Sequence, residues 1–471
     1  MNETAPFDLL VIGGGSAGHA AARTAASLGL KTALVESAPV LGGLCILRGC
    51  MPSKALIETA NRMRIARDGL RFGFRSAPPE LDIERLRERM QGLVEDFRLD
   101  RLRGMEEGGY TLLRGRARFI SAHAVEVLDA DGTLTAHEAK AFVIATGSRP
   151  TVPEIPGLDG TPFWTSDDVV EMPSLPARLV VVGAGAIGME CAHLFEGLGS
   201  RVTVIARGEG IMGGSSDPDL AIALEAASSE RGIQFLKKTG VRSVTHAAGV
   251  FRLDFDSGDE PLETEALLLA TGRAPLTAGL GLEGIGIAME KGRILIDERA
   301  TTSLPHVFAA GDCASPAAVV HLAVIQGEVA ARNAARLLKH DHLAPVAEWN
   351  RHSAMEAWFT EPQCVRIGLT ETAAREEQIP VLVGRQSYAD HGKGMIVGSR
   401  HGFVKVLADP ETGRLLGATA VGPLVTETAH LLQAAIELQL TAAAYLAIPH
   451  YHPTLAEAWS RAVEEIEKQR S

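Results

Sequence analysis

The sequence predicts an α/β protein that uses one Rossmann-like dinucleotide-binding unit twice and continues into a C-terminal α+β region. Apolar runs that end in glycine, at 7–13 and 178–183, each lead into a Gly-x-Gly-x-x-Gly loop and a helical stretch. Each unit is closed by a matching phrase, ATGSRP at 145–150 and ATGRAP at 270–275. From about residue 344 the pattern changes to alternating segments, which favour antiparallel strands.

Size and charge limit the classes of function. At 471 residues the chain is too long for one core, and roughly 150 residues per domain predict about three domains. The net charge of −12 argues against a nucleic-acid partner, because phosphate binding depends on a basic surface. Neither a leader peptide before Phe7 nor an apolar run of about 18 residues is found, so we expect a cytoplasmic protein without a membrane span.

The first unit occupies the start of the chain. The run FDLLVIG at 7–13 predicts a buried strand, the alanine-rich stretch up to Gly29 a helix, and KTALVE at 31–36 a second strand. Glycines in such a loop permit a tight turn, a close approach of backbone N–H groups to a pyrophosphate, and close packing of helix on strand. The loop glycines are Gly13, Gly15 and Gly18.

The second unit repeats this order and is inserted in the domain built on the first. RLVVVG at 178–183, a helix to about Gly199 and RVTVIA at 201–206 surround its loop. A strand within 302–314 then delivers Asp312 beside a glycine. The loop glycines are Gly183, Gly185 and Gly188. The predicted domains are 1–149 together with 272–343, then 150–271, and finally 344–471.

The C-terminal region has a different character. The segments 359–374 and 402–423 are predicted to be antiparallel strands around a DPETG turn. Two helical stretches follow, with the phrase HPTLAEAW between them.

Two cysteines, Cys45 and Cys50, lie in the run GGLCILRGCMPSK just after the first unit. A Cys-x4-Cys pair in this place indicates a redox dithiol close to a nucleotide cofactor that accepts electrons. The alternatives are two buried apolar residues or half of a metal site. A metal would need further ligands, and Cys191, Cys313 and Cys364 are isolated in the sequence, so no metal is predicted.

This segment resembles the redox-active disulfide of the flavoprotein disulfide reductases, the class I pyridine nucleotide-disulfide oxidoreductases. With the ending HPTLAEAWSRA, the resemblance covers essentially the whole chain. It implies that FAD binds to the first unit, NAD or NADP binds to the second, and 344–471 forms a homodimer. The implied FAD-binding residues are Gly13, Gly15, Gly18, Glu36, Lys54, Gly115, Gly147, Asp312 and Val320. The implied nicotinamide-nucleotide residues are Gly183, Gly185, Gly188, Glu190, Arg207 and Gly272.

The same resemblance implies a role for each reacting group. Cys45 is the thiol that exchanges with substrate, and Cys50 is the thiol that contacts the flavin. Lys54, one helical turn after Cys50, brings an ammonium to the reduced ring, and Glu190 is its paired carboxylate. A solvated surface position is the alternative for both charged residues.

The phrase HPTLAE implies a base, formed by His452 and Glu457, that serves the disulfide of the partner subunit. A thiolate is the nucleophile in disulfide exchange, so the dithiol needs an acceptor for its proton. Histidine suits this task near neutral pH, and a carboxylate can fix its tautomer. A core or surface histidine is the alternative on residue type alone.

The choice of nicotinamide depends on the end of one strand. Glu36 closes the second strand of the first unit, where a carboxylate can accept a ribose hydroxyl, and Ala206 holds the equivalent position in the second unit. The missing acid and the adjacent Arg207 favour a 2′-phosphate and hence NADPH, alone or alongside NADH. The loop at 211–214 offers no second arginine, which argues against this preference.

The expected substrate is a lipoyl-bearing protein or a small disulfide. RGCMPSKAL and HPTLAEAWSRA most resemble the lipoamide-linked branch of the family, which implies electron transfer between a lipoyl dithiol, the Cys45–Cys50 disulfide, FAD and NAD(P). An NADPH-dependent disulfide or mercuric-type reductase is an alternative, although no vicinal cysteine pair occurs in the tail EEIEKQRS. A nicotinamide or quinone oxidoreductase without a disulfide substrate is another.

Overall fold

The computed structural model describes residues 6–212, 217–315, 317–341, 343–350, 352 and 354–470. Gly213 and Gly214 of the loop after Arg207 lie outside these residues. The helices are α1 (Ser16–Ser27), α2 (Leu44–Leu47), α3 (Cys50–Arg67), α4 (Ile83–Glu106), α5 (Ala186–Leu198), α6 (Pro218–Glu230), α7 (Val320–Leu338), α8 (Glu371–Glu376), α9 (Gly392–Ile396), α10 (Val425–Thr428), α11 (His430–Glu437), α12 (Ala442–Leu446) and α13 (Glu457–Arg470).

The strands fall into several sheets that are described below. They are β1 (Phe7–Ile12), β2 (Thr32–Glu36), β3 (Thr111–Arg114), β4 (Arg116–Ser121), β5 (Ala124–Leu128), β6 (Leu134–Ile144), β7 (Ser148–Pro150), β8 (Trp164–Thr165), β9 (Arg178–Val182), β10 (Arg201–Ala206), β11 (Gln234–Lys237), β12 (Val241–Ala247), β13 (Val250–Phe255), β14 (Leu262–Thr264), β15 (Ala266–Leu269), β16 (Arg273–Pro275), β17 (Met289–Glu290), β18 (Arg293–Ile294), β19 (Val307–Ala309), β20 (Met355–Trp358), β21 (Gln363–Gly368), β22 (Leu382–Ser387), β23 (Phe403–Ala408) and β24 (Leu415–Gly422).

The chain divides into two compact units. The three-domain division proposed from the sequence stays a prediction. None of the described helices is both long and apolar enough to cross a membrane. The first unit contains the described residues of Met1–Pro52, Glu88–Pro150 and Arg273–Trp349, and the second those of Ser53–Arg87, Thr151–Gly272 and Asn350–Ser471.

A seven-stranded sheet organises the first unit, with the order β3-β2-β1-β6-β5-β4 and β19 beside β6. The central strand β1 pairs in parallel with both β2 and β6. Leu9 and Val11 pack on one face of β1 among the alanines of α1 and α7, whereas Leu10 and Ile12 pack on the other face. Because both faces are buried from Leu9 to Ile12, this part of the strand is a continuous apolar run.

The second unit contains two five-stranded sheets. One has the parallel order β11-β10-β9-β15-β8, and the other is antiparallel with the order β20-β21-β24-β23-β22. Trp459 of α13 is fully buried in the core of the antiparallel sheet. The predicted α/β class, with parallel strands leading into each glycine loop and antiparallel strands at the C-terminus, is confirmed.

One local prediction was wrong. The segment 359–374 was expected to be strand throughout, but β21 ends at Gly368 and a helix begins at Glu371. Thr370 caps this helix, because its Oγ1 accepts a hydrogen bond of 3.0 Å from the N–H of Ala373.

Candidate active site

The first glycine loop joins β1 to α1 and leaves open space at one position. A Cβ at Gly13 would collide with the Ala145 carbonyl, and a Cβ at Gly18 would collide with the Gly13 carbonyl. Nothing lies within 4 Å of the equivalent point at Gly15, which is the N-cap of α1 and makes no side-chain capping bond. The first N–H groups of α1 therefore lack a side-chain cap, and a helix end of this kind favours an anion.

The second loop, between β9 and α5, has the same geometry. A Cβ at Gly183 would collide with the Ala270 carbonyl, and a Cβ at Gly188 would collide with the Gly183 carbonyl. Gly185 borders open space and is the N-cap of α5, without a side-chain capping bond. The chain therefore builds the same anion-binding helix end twice.

Glu36 closes β2 and faces the first loop. Its two carboxylate oxygens accept hydrogen bonds from the N–H groups of Gly14 (2.7 Å) and Ala38 (2.6 Å). Its carbonyl accepts one from the N–H of Gly115, which lies at the end of β3 with a positive φ of 152°. These bonds fix the carboxylate at the edge of the loop.

The two closing phrases meet as a short antiparallel ladder of β7 and β16. The Ser148 hydroxyl donates a hydrogen bond of 2.6 Å to Asp312 Oδ2, and Arg273 Nε donates one of 2.9 Å to Ser148 Oγ. Gly147 lies just before β7 and Gly272 just before β16. Both have a positive φ and border open space. Sequence reasoning missed Ser148 and Arg273, although the repeated phrases that contain them were the available signal.

Asp312 lies in a short helical turn, Gly311–Cys313, that ends at Ala314. Helix α7 begins at Val320, six residues after Ala314. The helix has no side-chain cap.

Cys45 and Cys50 of the first unit lie in contact as free thiols. Cys45 is in α2 and Cys50 starts α3, and both are half-buried. A Cβ at Gly49 would lie 2.9 Å from the Leu44 carbonyl, so the tight turn between the cysteines requires glycine. The hydrogen bond with Cys50, followed by burial, raises the pKa of the Cys45 thiol. Two thiols that share a hydrogen bond can close to a disulfide and reopen on reduction.

The cysteine segment also passes close to the first glycine loop. A Cβ at Gly43 would lie 2.9 Å from the Cα of Gly15. The backbone that leads into Cys45 therefore borders the helix end described above.

Lys54 and Glu190 form an ion pair within the second unit. Lys54 Nζ donates to Glu190 Oε2 at 2.8 Å and lies 4.7 Å from the centre of the Phe359 ring. Glu190 Oε1 accepts a hydrogen bond of 2.9 Å from the N–H of Phe359. Both carboxylate oxygens are thus engaged, and the carboxylate holds the ammonium in one position. Phe359 is a member of this group that the sequence did not indicate.

His452 and Glu457 form the second predicted pair. His452 Nδ1 lies 2.9 Å from Glu457 Oε1, and the N–H of Thr454 donates to Glu457 Oε2 at 2.9 Å. Burial acts to raise the pKa of Glu457, but these two hydrogen bonds hold it below its usual range. An ionised carboxylate only accepts, so Nδ1 carries the proton and Nε2 is the nitrogen that can take up another. The His452 side chain is 77% exposed, which leaves Nε2 open to a substrate or another chain.

Strand β10 ends at Ala206, which is buried, and the next residue, Arg207, is exposed. The backbone is tied to the next strand, because Thr239 N–H donates to the Ala206 carbonyl and Lys238 N–H to the Gly208 carbonyl. Lys238 Nζ is paired with Glu209 at 2.5 Å. Ala206 stands at the position that Glu36 has in the first unit, and Glu209, the carboxylate of the described loop, is paired with Lys238.

One acidic cluster in the described residues has metal-ligand spacing, formed by Asp217, Asp219 and Glu371. The ammonium of Lys405 makes an ion pair with each of the three carboxylates. Burial acts to lower the pKa of Lys405, but the carboxylates raise it. A buried lysine therefore supplies the positive charge that this cluster needs.

The chain has two glycine loops of the dinucleotide-binding type, each after a parallel strand, and a pair of cysteines in contact. These features define a pyridine nucleotide-linked dithiol oxidoreductase. The chain belongs to the pyridine nucleotide-disulphide oxidoreductase family: residues 7–331 match the family itself and residues 355–463 match its dimerisation domain. The family resemblance and the predicted enzyme class are confirmed. Enzymes of this family use FAD and a nicotinamide dinucleotide, and so does this chain.

Similar proteins agree with this assignment over nearly the whole length. A dihydrolipoyl dehydrogenase of Bacillus subtilis is 32% identical over 96% of this chain and 96% of its own length. A mercuric reductase of Shewanella putrefaciens is 33% identical over 90% of this chain and 74% of its own length. The crystal structure of LpdA from Mycobacterium tuberculosis superimposes with a TM-score of 0.87 at 25% identity, covering 97% of this chain and 99% of that one.

The residues present fit the two cofactors. The open space at Gly15 and Gly185, each at an uncapped helix end, suits the pyrophosphate of a dinucleotide. At Gly13 and Gly183, by contrast, the protein's own backbone fills the space.

Proposed function

We propose that this enzyme is a dihydrolipoyl dehydrogenase, which passes electrons between a lipoyl dithiol and a nicotinamide dinucleotide. The observation that carries the proposal is the contact between the Cys45 and Cys50 thiols, because that pair can form the disulfide which such a reaction needs. The name of the Bacillus relative supports the lipoyl group as substrate.

In the proposed reaction, a substrate thiolate attacks Cys45 Sγ, and the Cys45–Cys50 bond breaks with Cys50 leaving as thiolate. The second substrate thiol then displaces Cys45, which releases the cyclic lipoyl disulfide and leaves two cysteine thiols. The substrate has lost two electrons and two protons, and the protein disulfide has been reduced. FAD held at the glycine loop before α1 would supply the two-electron acceptor between the dithiol and the nicotinamide.

We propose that His452 accepts the proton of the attacking thiol at Nε2 and that Glu457 keeps Nδ1 protonated. The exposure of His452 supports a role toward the cysteines of the partner subunit in a homodimer. Lys54, held by Glu190, is proposed to place its ammonium where negative charge develops on the reduced cofactor. The roles of His452 and Lys54 are those that the family resemblance implies. A cytoplasmic location is proposed as well, because thiols remain reduced there.

A steady-state comparison of substrates tests the proposal. The purified FAD enzyme is assayed with each substrate separately. Dihydrolipoamide is supplied with the oxidised nicotinamide, and glutathione disulfide and mercuric ion are each supplied with the reduced nicotinamide. We expect turnover with dihydrolipoamide to exceed that with either of the other two at least tenfold. Mercuric ion is the informative competitor, since one relative is a mercuric reductase. Faster turnover with mercuric ion or glutathione disulfide would contradict the lipoyl assignment.

The preferred nicotinamide is proposed to be NADPH, because Ala206 supplies no carboxylate and the exposed Arg207 follows it. Replacing Arg207 with glutamate removes a cation and adds an anion beside the 2′-phosphate. A hydrogen bond to a charged group contributes about 1.5–3 kcal/mol, so kcat/KM for NADPH relative to NADH should fall roughly 10- to 100-fold.

The control for this cofactor experiment is Arg201→Gln, at the exposed start of the same strand β10. Its ratio of NADPH to NADH efficiency should match that of the unaltered enzyme. An unchanged ratio in Arg207→Glu would show that the arginine does not select the cofactor.

A further inference from the structure

The segment 359–361, which follows strand β20, is bound to helix α5 at two points. The N–H of Phe359 donates to Glu190 Oε1 at 2.9 Å, and the N–H of Glu361 donates to His193 Nδ1 at 3.3 Å. Glu190 and His193 are three residues apart in α5, so their side chains lie on the same side of that helix. Two side chains of one helix thus hold two backbone N–H groups of the segment.

The buried His193 can accept this hydrogen bond because its tautomer is fixed. The hydroxyl of Ser228 donates to the Leu224 carbonyl at 2.6 Å and lies 2.9 Å from His193 Nε2. Since the hydroxyl proton is directed to that carbonyl, the hydroxyl oxygen accepts from Nε2–H, and Nδ1 is left without a proton. Burial, followed by the charges of Arg64 and Arg231, lowers the pKa of His193 well below its usual range. The ring is therefore neutral near pH 7, and Nδ1 remains an acceptor.

The same segment places an aromatic ring against the ammonium of Lys54. Lys54 Nζ lies 4.7 Å from the centre of the half-buried Phe359 ring and 2.8 Å from Glu190 Oε2. The face of an aromatic ring attracts a cation at this distance. The Lys54 side chain is 30% exposed, so most of it is shielded from water. The ammonium is therefore held both by a carboxylate and by a ring.

The carboxylate and the ring act on the ammonium together. Glu190 attracts the ammonium at one oxygen, and the Phe359 ring limits the directions from which the flexible lysine chain can reach that oxygen. The other oxygen of Glu190 accepts the N–H of Phe359 itself. The carboxylate and the residue that carries the ring are thus fixed relative to each other.

We propose that Phe359 is a positioning residue for Lys54 and that its ring confines the lysine ammonium against Glu190. The proposal deepens the proposed function, because it rests on the place proposed for Lys54 beside the reduced cofactor. A cation that is already in position stabilises a developing negative charge better than one that must first reorganise. The ring of Phe359 therefore favours reduction of the bound flavin.

The test measures the redox potential of the flavin in the holoenzyme. The protein is equilibrated anaerobically with dyes of known potential, and the flavin absorbance gives the fraction of reduced flavin. In Phe359→Leu, which keeps an apolar side chain but has no ring, we expect the equilibrium constant for two-electron reduction to fall about three- to tenfold. This corresponds to a decrease of about 15 to 30 mV, since a tenfold change in a two-electron equilibrium is about 30 mV.

A double-mutant cycle separates positioning of the ammonium from a general effect on packing. In the Lys54→Gln background the ammonium is absent, so Phe359→Leu should cause less than half of the shift that it causes in the unaltered enzyme. Phe359→Tyr retains the face of the ring and should keep the potential of the unaltered enzyme. An unchanged potential in Phe359→Leu would overturn the proposal, as would half or more of the shift in the Lys54→Gln background.

The matched control is Phe7→Leu. Phe7 is another half-buried phenylalanine with a lysine ammonium, that of Lys31, 5.1 Å from the centre of its ring. The flavin potential of this variant should equal that of the unaltered enzyme. If Phe359→Leu does not retain FAD, Phe359→Met is measured in its place, because its flexible side chain fills irregular space without a ring. The same shift is expected, and the same outcomes would overturn the proposal.

The outcome is separable from the proposed function. The potential is measured without a disulfide substrate, so failure of the unaltered enzyme with dihydrolipoamide would contradict the lipoyl assignment and leave the flavin shift intact. An unchanged potential in Lys54→Gln would contradict the place proposed for Lys54. A lowered potential in Lys54→Gln with no shift in Phe359→Leu would contradict only the role of Phe359.

Discussion

Cys50→Ser is expected to lose lipoamide turnover by on the order of 10⁴-fold or more while the protein still binds FAD. Serine cannot form the disulfide with Cys45, so no internal electron acceptor remains for a substrate dithiol. The side chain is nearly the same size and sits at the start of α3, so the fold should persist. Reduction of an artificial acceptor by the nicotinamide, which needs no dithiol, should continue.

The measurement combines the lipoamide assay, the artificial-acceptor assay and the flavin absorbance of the purified protein. Cys364→Ser is the matched control, because Cys364 is a buried cysteine in β21 with a hydroxyl neighbour, Thr360, at 3.6 Å. Its lipoamide rate should remain within about twofold of normal, as isosteric polar changes beside a hydrogen-bonding partner are mild. Loss of FAD from Cys50→Ser would show instead that the cysteine is structural.

His452→Gln is expected to lower kcat/KM for dihydrolipoamide by about 10²- to 10⁴-fold, the range typical of removing a general base. Glutamine keeps a hydrogen-bonding side chain but cannot take up the thiol proton. Glu457→Gln should cause a smaller loss, since the imidazole remains while its orienting carboxylate is gone.

The pH dependence of these variants gives a second measurement. The pKa of Glu457 lies below its usual range, so its carboxylate acts on His452 throughout the neutral range and is lost only as the pH falls through that lowered pKa. The acid limb of kcat/KM should therefore change in Glu457→Gln. His401→Gln is the matched control, because His401 and Glu230 form another exposed histidine–carboxylate pair at 2.6 Å. A normal lipoamide rate in His452→Gln would exclude this histidine as the base.

The sequence predicted the parts of the fold that have short-range patterns. The glycine loops, the apolar run of β1 and the acid at Glu36 each depend on residues close together in the chain, and their periodicity can be read directly. The helix at 371–376 was missed because Thr370 in LTETAA is a capping signal that competes with the strand pattern before it.

Long-range contacts account for the remainder of the site. Ser148 and Arg273 meet across 125 residues of sequence. The repeated phrases ATGSRP and ATGRAP contain both positions but do not show that the two side chains meet. Phe359 joins Glu190 in the same way.

The lysine among the three carboxylates limits how this enzyme can be recombined with its relatives. Asp217 and Asp219 lie at the start of α6, which follows strand β10 in the chain, whereas Lys405 is in β23 of the antiparallel sheet and Glu371 starts α8. A hybrid that took residues 151–272 from one parent and 350–470 from another would keep only half of this charge set. If Asp217 came from this enzyme and the parent of residues 350–470 had no cation at position 405, the hybrid would bury Asp217 without that counter-ion. Without a cation at position 405 in the other parent, the two stretches would have to come from the same parent, although 77 residues of the chain separate them.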